Sequence, residues 1–215
     1  MFEVTQVGSW PRSPELLRAL RARRQGEISR ARFAAVADGE VRRSVARQIA
    51  AGVDVVVDGE QRRDGFYSFV AEKLAGTRLM SLAETLETVE DQASFQEMLA
   101  ALDVPAAAIH NPTCVGPISR REPLAGDELA FVRQLTDRPV KIPLPGPYLL
   151  TRSMWVGAFS RAAYPDKTDL GRDVVRILRE ELQELAAAGC EFVQFDEPVL
   201  TEIVMAKDRG RRTFM

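Results

Sequence analysis

Carboxylates and glycines follow the apolar runs of this 215-residue chain, at the positions where functional side chains are commonly found. The run VDVVV at 53–57 leads into Asp58-Gly59-Glu60, and the run FVQF at 192–195 leads into Asp196-Glu197-Pro198. A carboxylate at the end of a strand can bind a substrate ammonium group or act as a general base. The pattern therefore predicts acidic binding positions at Glu60 and Asp196.

Each of these carboxylates also has a purely structural alternative. One of Asp196 and Glu197 could cap a helix that Pro198 begins, because acidic residues and proline are common at helix starts. Glu60 could instead form a surface ion pair with Arg62 or Arg63. The local sequence leaves both alternatives open.

A glycine, a hydroxyl and a few candidate metal ligands complete the set of chemically notable residues. Gly8-Ser9 offers backbone N–H groups and a hydroxyl, which suit a carboxylate or phosphate, although a plain turn before Pro11 is the alternative. The chain has one histidine, His110, and two widely separated cysteines, Cys114 and Cys190. A histidine-rich metal site, a Ser-His-Asp triad or a disulfide framework is therefore hard to build from this chain alone.

Hydrophobic periodicity and capping residues predict the strands and helices that position these residues. The predicted strands cover Glu3–Val7, Val53–Val57, Ala106–Ile109, Pro139–Leu144 and the run FVQF at 192–195. The first predicted helix begins at Ser13-Pro14-Glu15. The others cover Arg30–Ala51, Phe66–Leu74, Leu82–Leu102, Asp127–Leu135 and Asp169–Ala188. A proline-containing loop is expected after Ile109, up to Ser119.

The predicted strands are near-continuous apolar runs, which favours a parallel sheet covered on both faces. Five β/α units in succession indicate a TIM barrel or a doubly wound sheet. Both architectures place functional groups at the carboxyl ends of the strands. Because a closed barrel has eight units, either the fold is an open sheet or the rest of the barrel lies outside this sequence.

Composition narrows the class of protein. Apolar residues make up 46% and charged residues 28% of the chain, as in ordinary soluble globular proteins. A net charge of −2 gives no electrostatic basis for binding nucleic acid or an anionic membrane. The N-terminus has no signal-peptide pattern, and no apolar run approaches a membrane span. With the cysteine usage, these features predict a cytoplasmic protein.

The order of four motifs along the chain is more specific than any motif alone. They are Val7-Gly8-Ser9-Trp10-Pro11-Arg12, Asp58-Gly59-Glu60, Pro145-Gly146-Pro147 and Gln194-Phe195-Asp196-Glu197-Pro198. Together they resemble the cobalamin-independent methionine synthase family, in its C-terminal catalytic domain and its shorter single-domain relatives. The resemblance implies a (β/α)8 TIM barrel of the methionine synthase and uroporphyrinogen decarboxylase superfamily. Residues 1–215 would form an incomplete catalytic domain with about the first five β/α units.

The resemblance also implies an activity and a set of binding residues. Members of this family transfer a methyl group to a thiol, often from methyltetrahydrofolate to homocysteine, and zinc holds the thiol as a thiolate. Val7 and Ser9 match the loop that holds the carboxylate of the acceptor. Glu60 matches a glutamate that contacts the acceptor, and Asp196 matches an aspartate that binds its ammonium group. Glu202 matches a glutamate that meets the pterin ring of the folate donor.

Three further positions are implied on the donor side, and two of them depart from the family pattern. Cys114 falls where the family has an Arg-Cys pair near the folate, but Thr113 stands in place of the arginine. The family's folate-stacking tryptophan corresponds to Ser153. The aromatic residues Tyr148 and Trp155 lie nearby in sequence and would be its substitutes.

The metal is expected outside this sequence. The family's zinc ligands are a His-x-Cys pair, a glutamate and a second cysteine on the last three strands, whereas no histidine or cysteine follows Cys190. The resemblance therefore implies zinc ligands beyond residue 215, no metal ligand or catalytic residue in this chain, and a second polypeptide or fragment that completes an otherwise inactive barrel. The alternatives are a relative that uses another thiol or alkyl donor, such as a coenzyme M-type transferase, and a non-catalytic amino-acid-binding half-barrel.

Overall fold

The first two helices begin where the sequence predicts. In the computed structural model, which describes residues 2–81, 84–85 and 110–200, helix α1 covers Pro14–Arg24 and α2 covers Arg30–Ala50. The hydroxyls of Ser13 and Ser29 each accept a hydrogen bond of 3.1 Å from a first-turn N–H group, so both helices are capped by side chains. The predicted starts of both helices are confirmed.

The other described elements follow in chain order. They are α3 (Val70–Lys73), β1 (Leu74–Ser81), β2 (His110–Arg120), α4 (Gly126–Val132), β3 (Lys141–Pro145), α5 (Pro147–Met154), α6 (Gly157–Ser160), α7 (Lys167–Ala187) and β4 (Phe192–Asp196). The chain divides into two compact units. The first unit comprises Met1–Phe66, Pro123–Leu144 and Glu181–Phe195, and the second comprises Tyr67–Glu122, Pro145–Glu180 and Asp196–Met215.

The first unit contains the parallel strand segments. Thr5 pairs in parallel with Val55, and Val56 pairs in parallel with Val140. Strand β3 is in turn the hydrogen-bonded neighbour of β4. The predicted strands at residues 3–7 and 53–57 are present only as isolated bridges. Their order nevertheless follows the chain, as expected of successive β/α units in a parallel sheet.

The second and the fourth predicted strands are direct neighbours in the structure. Val56 pairs directly with Val140, and the Lys141 N–H group donates to the Val56 carbonyl over 2.8 Å. The segment predicted as the fourth strand is therefore the immediate neighbour of the second. The predicted third strand, Ala106–Ile109, and the predicted helix Leu82–Leu102 lie outside the described residues.

The second unit contains an antiparallel hairpin that the sequence did not predict. Strand β1 pairs with β2 from Ser81 opposite His110 to Leu74 opposite Arg120. The predicted helix Phe66–Leu74 is wrong except for the single turn of α3, and the predicted loop up to Ser119 is strand β2. The prolines of β2 suggested a loop because proline donates no backbone hydrogen bond, but strands at a sheet edge tolerate it.

Buried polar contacts hold β2 to the helices of its unit. The Tyr164 hydroxyl accepts from the Ile118 N–H group at 2.9 Å and donates to Asp173 of α7 at 2.6 Å. The Ser160 hydroxyl donates to the Cys114 carbonyl at 3.0 Å.

None of the helices in the described ranges combines the length and the apolar character that a membrane span requires.

We expect the hairpin to depend on Gly76, which has a φ of +71° beside a register shift between Ala75 and Thr77. A Cβ atom there would lie 2.7 Å from the Gly116 carbonyl oxygen and would also overlap the Pro117 carbonyl. Gly76→Ala should therefore lower the free energy of unfolding by about 2 kcal/mol in a urea titration.

Gly116→Ala is the matched control in the facing strand. A Cβ atom at Gly116 meets only the Gly76 Cα atom, at an ordinary contact distance of 3.7 Å. Equal destabilisation by the two substitutions would contradict the steric explanation.

Candidate functional site

Glu60 has an unusual backbone at the end of a buried strand segment. Its φ is +54°, and among the residues that the structure describes it is the only non-glycine residue with a positive φ. Gly59 before it has a φ of +77°. Such a conformation costs about 1–3 kcal/mol for a residue with a side chain, and residues held this way are concentrated at functional sites. The Glu60 N–H group donates to Asp58 Oδ1 at 2.8 Å, which closes the turn.

The loop after the first strand segment packs against this carboxylate. The exposed Ser9 hydroxyl donates a hydrogen bond to Glu60 Oε2, while Glu60 itself is buried. A Cβ atom added to Gly8 would lie 2.7 Å from Glu60 Oε1, so the backbone approaches the carboxylate more closely than any other residue would allow. The structure therefore brings together two of the predicted site residues, Ser9 and Glu60.

Side chains of β3 and β4 hold the backbone just before this loop. The Gln194 amide donates to the Val7 carbonyl at 3.0 Å, while the Val7 side chain is exposed. Lys141, which is only 1% exposed, donates to the Gln6 carbonyl and, over 2.7 Å, to Gln194 Oε1. The position of Val7 is thus fixed through its backbone.

A buried cluster of charges lies beside Glu60. Arg63 makes two hydrogen bonds to Glu128 of α4, at 2.8 and 2.6 Å, and its Nη1 lies 3.9 Å from Glu60 Oε1. Burial raises the pKa of Glu128 to about 7 against the opposing charge of Arg63. Burial likewise raises the pKa of Asp58, whose Oδ2 atom has no hydrogen-bond partner within the described residues.

Glu60 does not form the surface ion pair that was the structural alternative, because its side chain is buried. Arg62 pairs instead with Asp38, at 2.6 Å. The contact with Arg63 exists, but both side chains are buried, and the principal partner of Arg63 is Glu128. This pairing could not be predicted from local sequence, because Glu128 lies 65 residues further along the chain.

The two carboxylates after β4 have different surroundings, both within the second unit. The Glu197 carboxylate accepts from the N–H groups of Tyr148 at 2.6 Å and Leu149 at 2.9 Å, at the start of α5. Partial burial raises the pKa of Glu197 despite these two bonds. Asp196 is half-buried, and its carbonyl accepts from the Gly146 N–H group. Glu197 is therefore a helix cap, but for α5 rather than for a helix beginning at Pro198.

The implied donor-side residues are mostly enclosed. Thr113 and Cys114 are fully buried in β2, and the Thr113 hydroxyl has no hydrogen-bond partner among the described residues. Burial raises the pKa of Cys114, which favours the neutral thiol. The buried Ser153 hydroxyl donates to the Leu149 carbonyl at 2.8 Å, within α5. Glu202 lies outside the described residues.

An open cleft of about 850 Å³ lies in the second unit beside these residues. Its lining includes the aromatic side chains of Tyr148 and Trp155 but not Ser153. The cleft also has a basic lining from Arg152, Lys167, Arg172, Arg176 and Arg179. Sequence reasoning missed this lining, although the three arginines of α7 recur at helical spacing.

The described residues do not fit a zinc site. No group of three or more His, Cys, Asp or Glu side chains in the described ranges is arranged to hold a metal ion. Cys114 is buried in the second unit, and Cys190 is half-buried in the first.

Parallel strand segments in chain order, joined by helices and followed by polar residues at their carboxyl ends, define the class as a partial (β/α)8 barrel. Residues 2–215 match the family model described as "Cobalamin-independent synthase, Catalytic domain". The chain belongs to this family. The fold class and the family expected from the four motifs are thereby confirmed.

Curated relatives support the same assignment. The chain is 29% identical over 214 residues to a 5-methyltetrahydropteroyltriglutamate–homocysteine methyltransferase of Chelativorans sp., covering 100% of this chain and 25% of the relative. It is 32% identical over 202 residues to the protein of the same name from Streptomyces griseus, covering 94% and 23%. The chain therefore spans about a quarter of the length of these relatives.

Solved structures show the same fold. A B12-independent methionine synthase from Shewanella sp. W3-18-1, in complex with selenomethionine, matches with a TM-score of 0.64 and 25% identity, covering 91% of this chain and 51% of that one. A putative vitamin-B12-independent methionine synthase from Listeria monocytogenes matches with a TM-score of 0.69 at 18% identity, covering 97% and 55%. The second likeness concerns the fold alone.

We expect Glu197→Ala to expose the start of α5. The first N–H groups of a helix have no partner within the helix, and Glu197 supplies one for Tyr148 and Leu149. Amide hydrogen exchange at these two residues should become about tenfold faster or more, because losing such a cap costs about 1 kcal/mol or more.

Glu191→Ala is the control, since Glu191 is an exposed carboxylate that makes no hydrogen bond within the described residues. Unchanged exchange at Tyr148 and Leu149 in the Glu197 variant would show that the carboxylate is not their cap.

Proposed function

We propose that this chain provides the acceptor site and part of the donor site of a methyltransferase. The reaction moves a methyl group from a folate-like donor to a thiol such as homocysteine. The observation that carries the proposal is the buried Glu60 carboxylate, held in a left-handed backbone against Ser9. It occurs in a chain whose family consists of cobalamin-independent synthase catalytic domains.

In this proposal the acceptor is recognised by its amino-acid part. The Ser9 hydroxyl and the backbone at Val7 bind the carboxylate, while Glu60 and Asp196 bind the ammonium group. A buried carboxylate is suited to this task because a charge-assisted hydrogen bond strengthens where water is excluded. Glu60 already has a hydroxyl neighbour in Ser9, so a bound ligand would exchange one polar partner for another.

The donor would contact accessible neighbours of the residues that the resemblance implies. Ser153 is bonded within α5, whereas Tyr148 and Trp155 line the open cleft. A pterin ring stacks on an aromatic face, and a donor with carboxylates is attracted to basic side chains. We therefore assign ring stacking to Trp155 and Tyr148. Thr113 and Cys114 would contribute only through the packing of β2.

The thiol would be activated by zinc held by ligands beyond residue 215, which supplies a thiolate at neutral pH. The remaining strands of the barrel would come from outside this sequence as well, from a second polypeptide or fragment. The chain covers about half of the solved relatives' chains. Phe192 and Phe195 of β4 are 43% and 40% exposed, as expected of a strand that another element covers.

A relative with another thiol acceptor or alkyl donor is the second candidate. It is favoured by the two departures from the family pattern, Thr113 and Ser153. The second candidate differs from the first in the thiol that binds beside Glu60 or in the alkyl donor that binds in the cleft.

The acceptor assignment predicts that the full chain binds L-homocysteine or L-methionine, measured by isothermal titration calorimetry. Glu60→Gln and Asp196→Asn should each weaken binding about tenfold or more, because each removes a charge that faces the ligand ammonium group. Glu191→Gln, an exposed carboxylate of the same chain, should have no effect. Unchanged affinity in both site variants would contradict the assigned roles, and binding of other thiols alone would favour the second candidate.

The donor assignment predicts different effects for two neighbouring positions. Trp155→Ala should weaken binding of a pteroyltriglutamate donor about tenfold, since stacking on an aromatic ring contributes about 1–3 kcal/mol. Ser153→Ala should leave the affinity unchanged, because its hydroxyl is buried within α5. Donor affinity can be measured by equilibrium dialysis. The reverse pattern would contradict the assignment of ring stacking to Trp155.

A further inference from the structure

We propose that Arg63 and Glu128 are positioning residues for the acceptor site, which act by holding the Glu60 carboxylate in its binding orientation. This inference rests on the proposed function, since it assumes that Glu60 contacts the acceptor. Neither residue belongs to the motifs that identify the family, and neither would touch the ligand itself.

The side-chain geometry links the pair directly to Glu60. Arg63 and Glu128 are 2% and 3% exposed, and two parallel N–H···O bonds join them. This bidentate arrangement fixes the plane of the guanidinium group. With that plane fixed, Nη1 of Arg63 lies 3.9 Å from Glu60 Oε1, on the carboxylate whose other oxygen accepts from Ser9.

Hydrogen bonds from the Arg63 backbone and from Arg12 also stabilise the left-handed turn. The Arg63 N–H group donates to the Glu60 carbonyl over 3.2 Å. Arg12 joins the turn from the other side, because its Nη2 donates to the Arg63 carbonyl at 2.9 Å and to the Glu60 carbonyl at 3.3 Å. A residue with a strained backbone keeps its conformation only when surrounding contacts hold it there. These hydrogen bonds hold the backbone of Glu60.

The charge of Arg63 also holds the neighbouring carboxylates together. Asp58, Glu60 and Glu128 are all buried, and Arg63 is the guanidinium group that interacts with all three. Without its charge the carboxylates would repel one another, and the Glu60 side chain would turn away from Asp58 and Glu128. A buried ion pair is seldom the most stable way to fill a core, since apolar residues of similar volume often serve as well. Orientation of Glu60 is a role that apolar residues could not perform.

Glu128→Gln tests the proposal in the full chain, with L-methionine as the probe in isothermal titration calorimetry. The amide keeps the volume of the side chain but loses the charge and one of the two bonds to Arg63. We expect methionine affinity to fall about fivefold or more. Asp38→Asn is the matched control, because it breaks the 2.6 Å ion pair of the adjacent Arg62, which does not contact Glu60.

A double-mutant cycle separates positioning from a general effect on stability. If Glu128 acts through Glu60, Glu128→Gln should cause no further loss of affinity in a Glu60→Gln background. Equal losses in both backgrounds would overturn the proposal. Glu128→Asp, which keeps the charge but shortens the side chain, provides a second variant should Glu128→Gln fail to fold, and it should also weaken binding.

The outcomes distinguish this inference from the function on which it rests. A wild-type chain that binds no amino acid would contradict the proposed function. A wild-type chain that binds methionine, with Glu128→Gln and Glu128→Asp binding equally well, would contradict the positioning role alone.

Discussion

The turn after residues 53–57 has to bring a carboxylate from the end of a buried strand back against the sheet, and it does so through a left-handed backbone at Glu60. Gly59 makes the reversal possible, and Asp58 closes it by accepting the Glu60 N–H group. The neighbouring loop then has to contain a glycine at position 8, because a Cβ atom there would collide with the carboxylate. Much of the first unit is arranged around this one constraint.

Buried carboxylates also define where two helices begin. Neither α4 nor α5 has a capping side chain of its own at the first turn. Glu181 of α7 accepts from the N–H groups of Leu124 and Ala125, and Glu197 serves the first turn of α5. A carboxylate at a helix start satisfies free N–H groups and interacts favourably with the helix dipole. Long-range acidic caps of this kind fix the register between elements that are distant in sequence.

The pair Asp196-Glu197 illustrates how far local sequence reaches. Its position after an apolar strand indicated that one carboxylate could cap a helix beginning at Pro198, whereas Glu197 caps α5. The hairpin of β1 and β2 was missed altogether, because its prolines read as loop residues and its partner strand lies about thirty residues away along the chain. On the donor side, the resemblance to the family pointed to Ser153. The helix places that hydroxyl against its own backbone and leaves Trp155 at the cleft.

The sequence by itself determined the starts of the helices at Pro14 and Arg30, the apolar runs, the family and the residues that follow each run. These features depend on neighbouring residues or on short motifs, so they can be read from local order. Only the tertiary structure decided that Ser9 meets Glu60, that Glu128 holds Arg63, and that Lys141 and Gln194 fix the backbone at Gln6 and Val7. These contacts join residues between 51 and 187 positions apart, and their geometry follows from packing and the burial of charge rather than from local propensity.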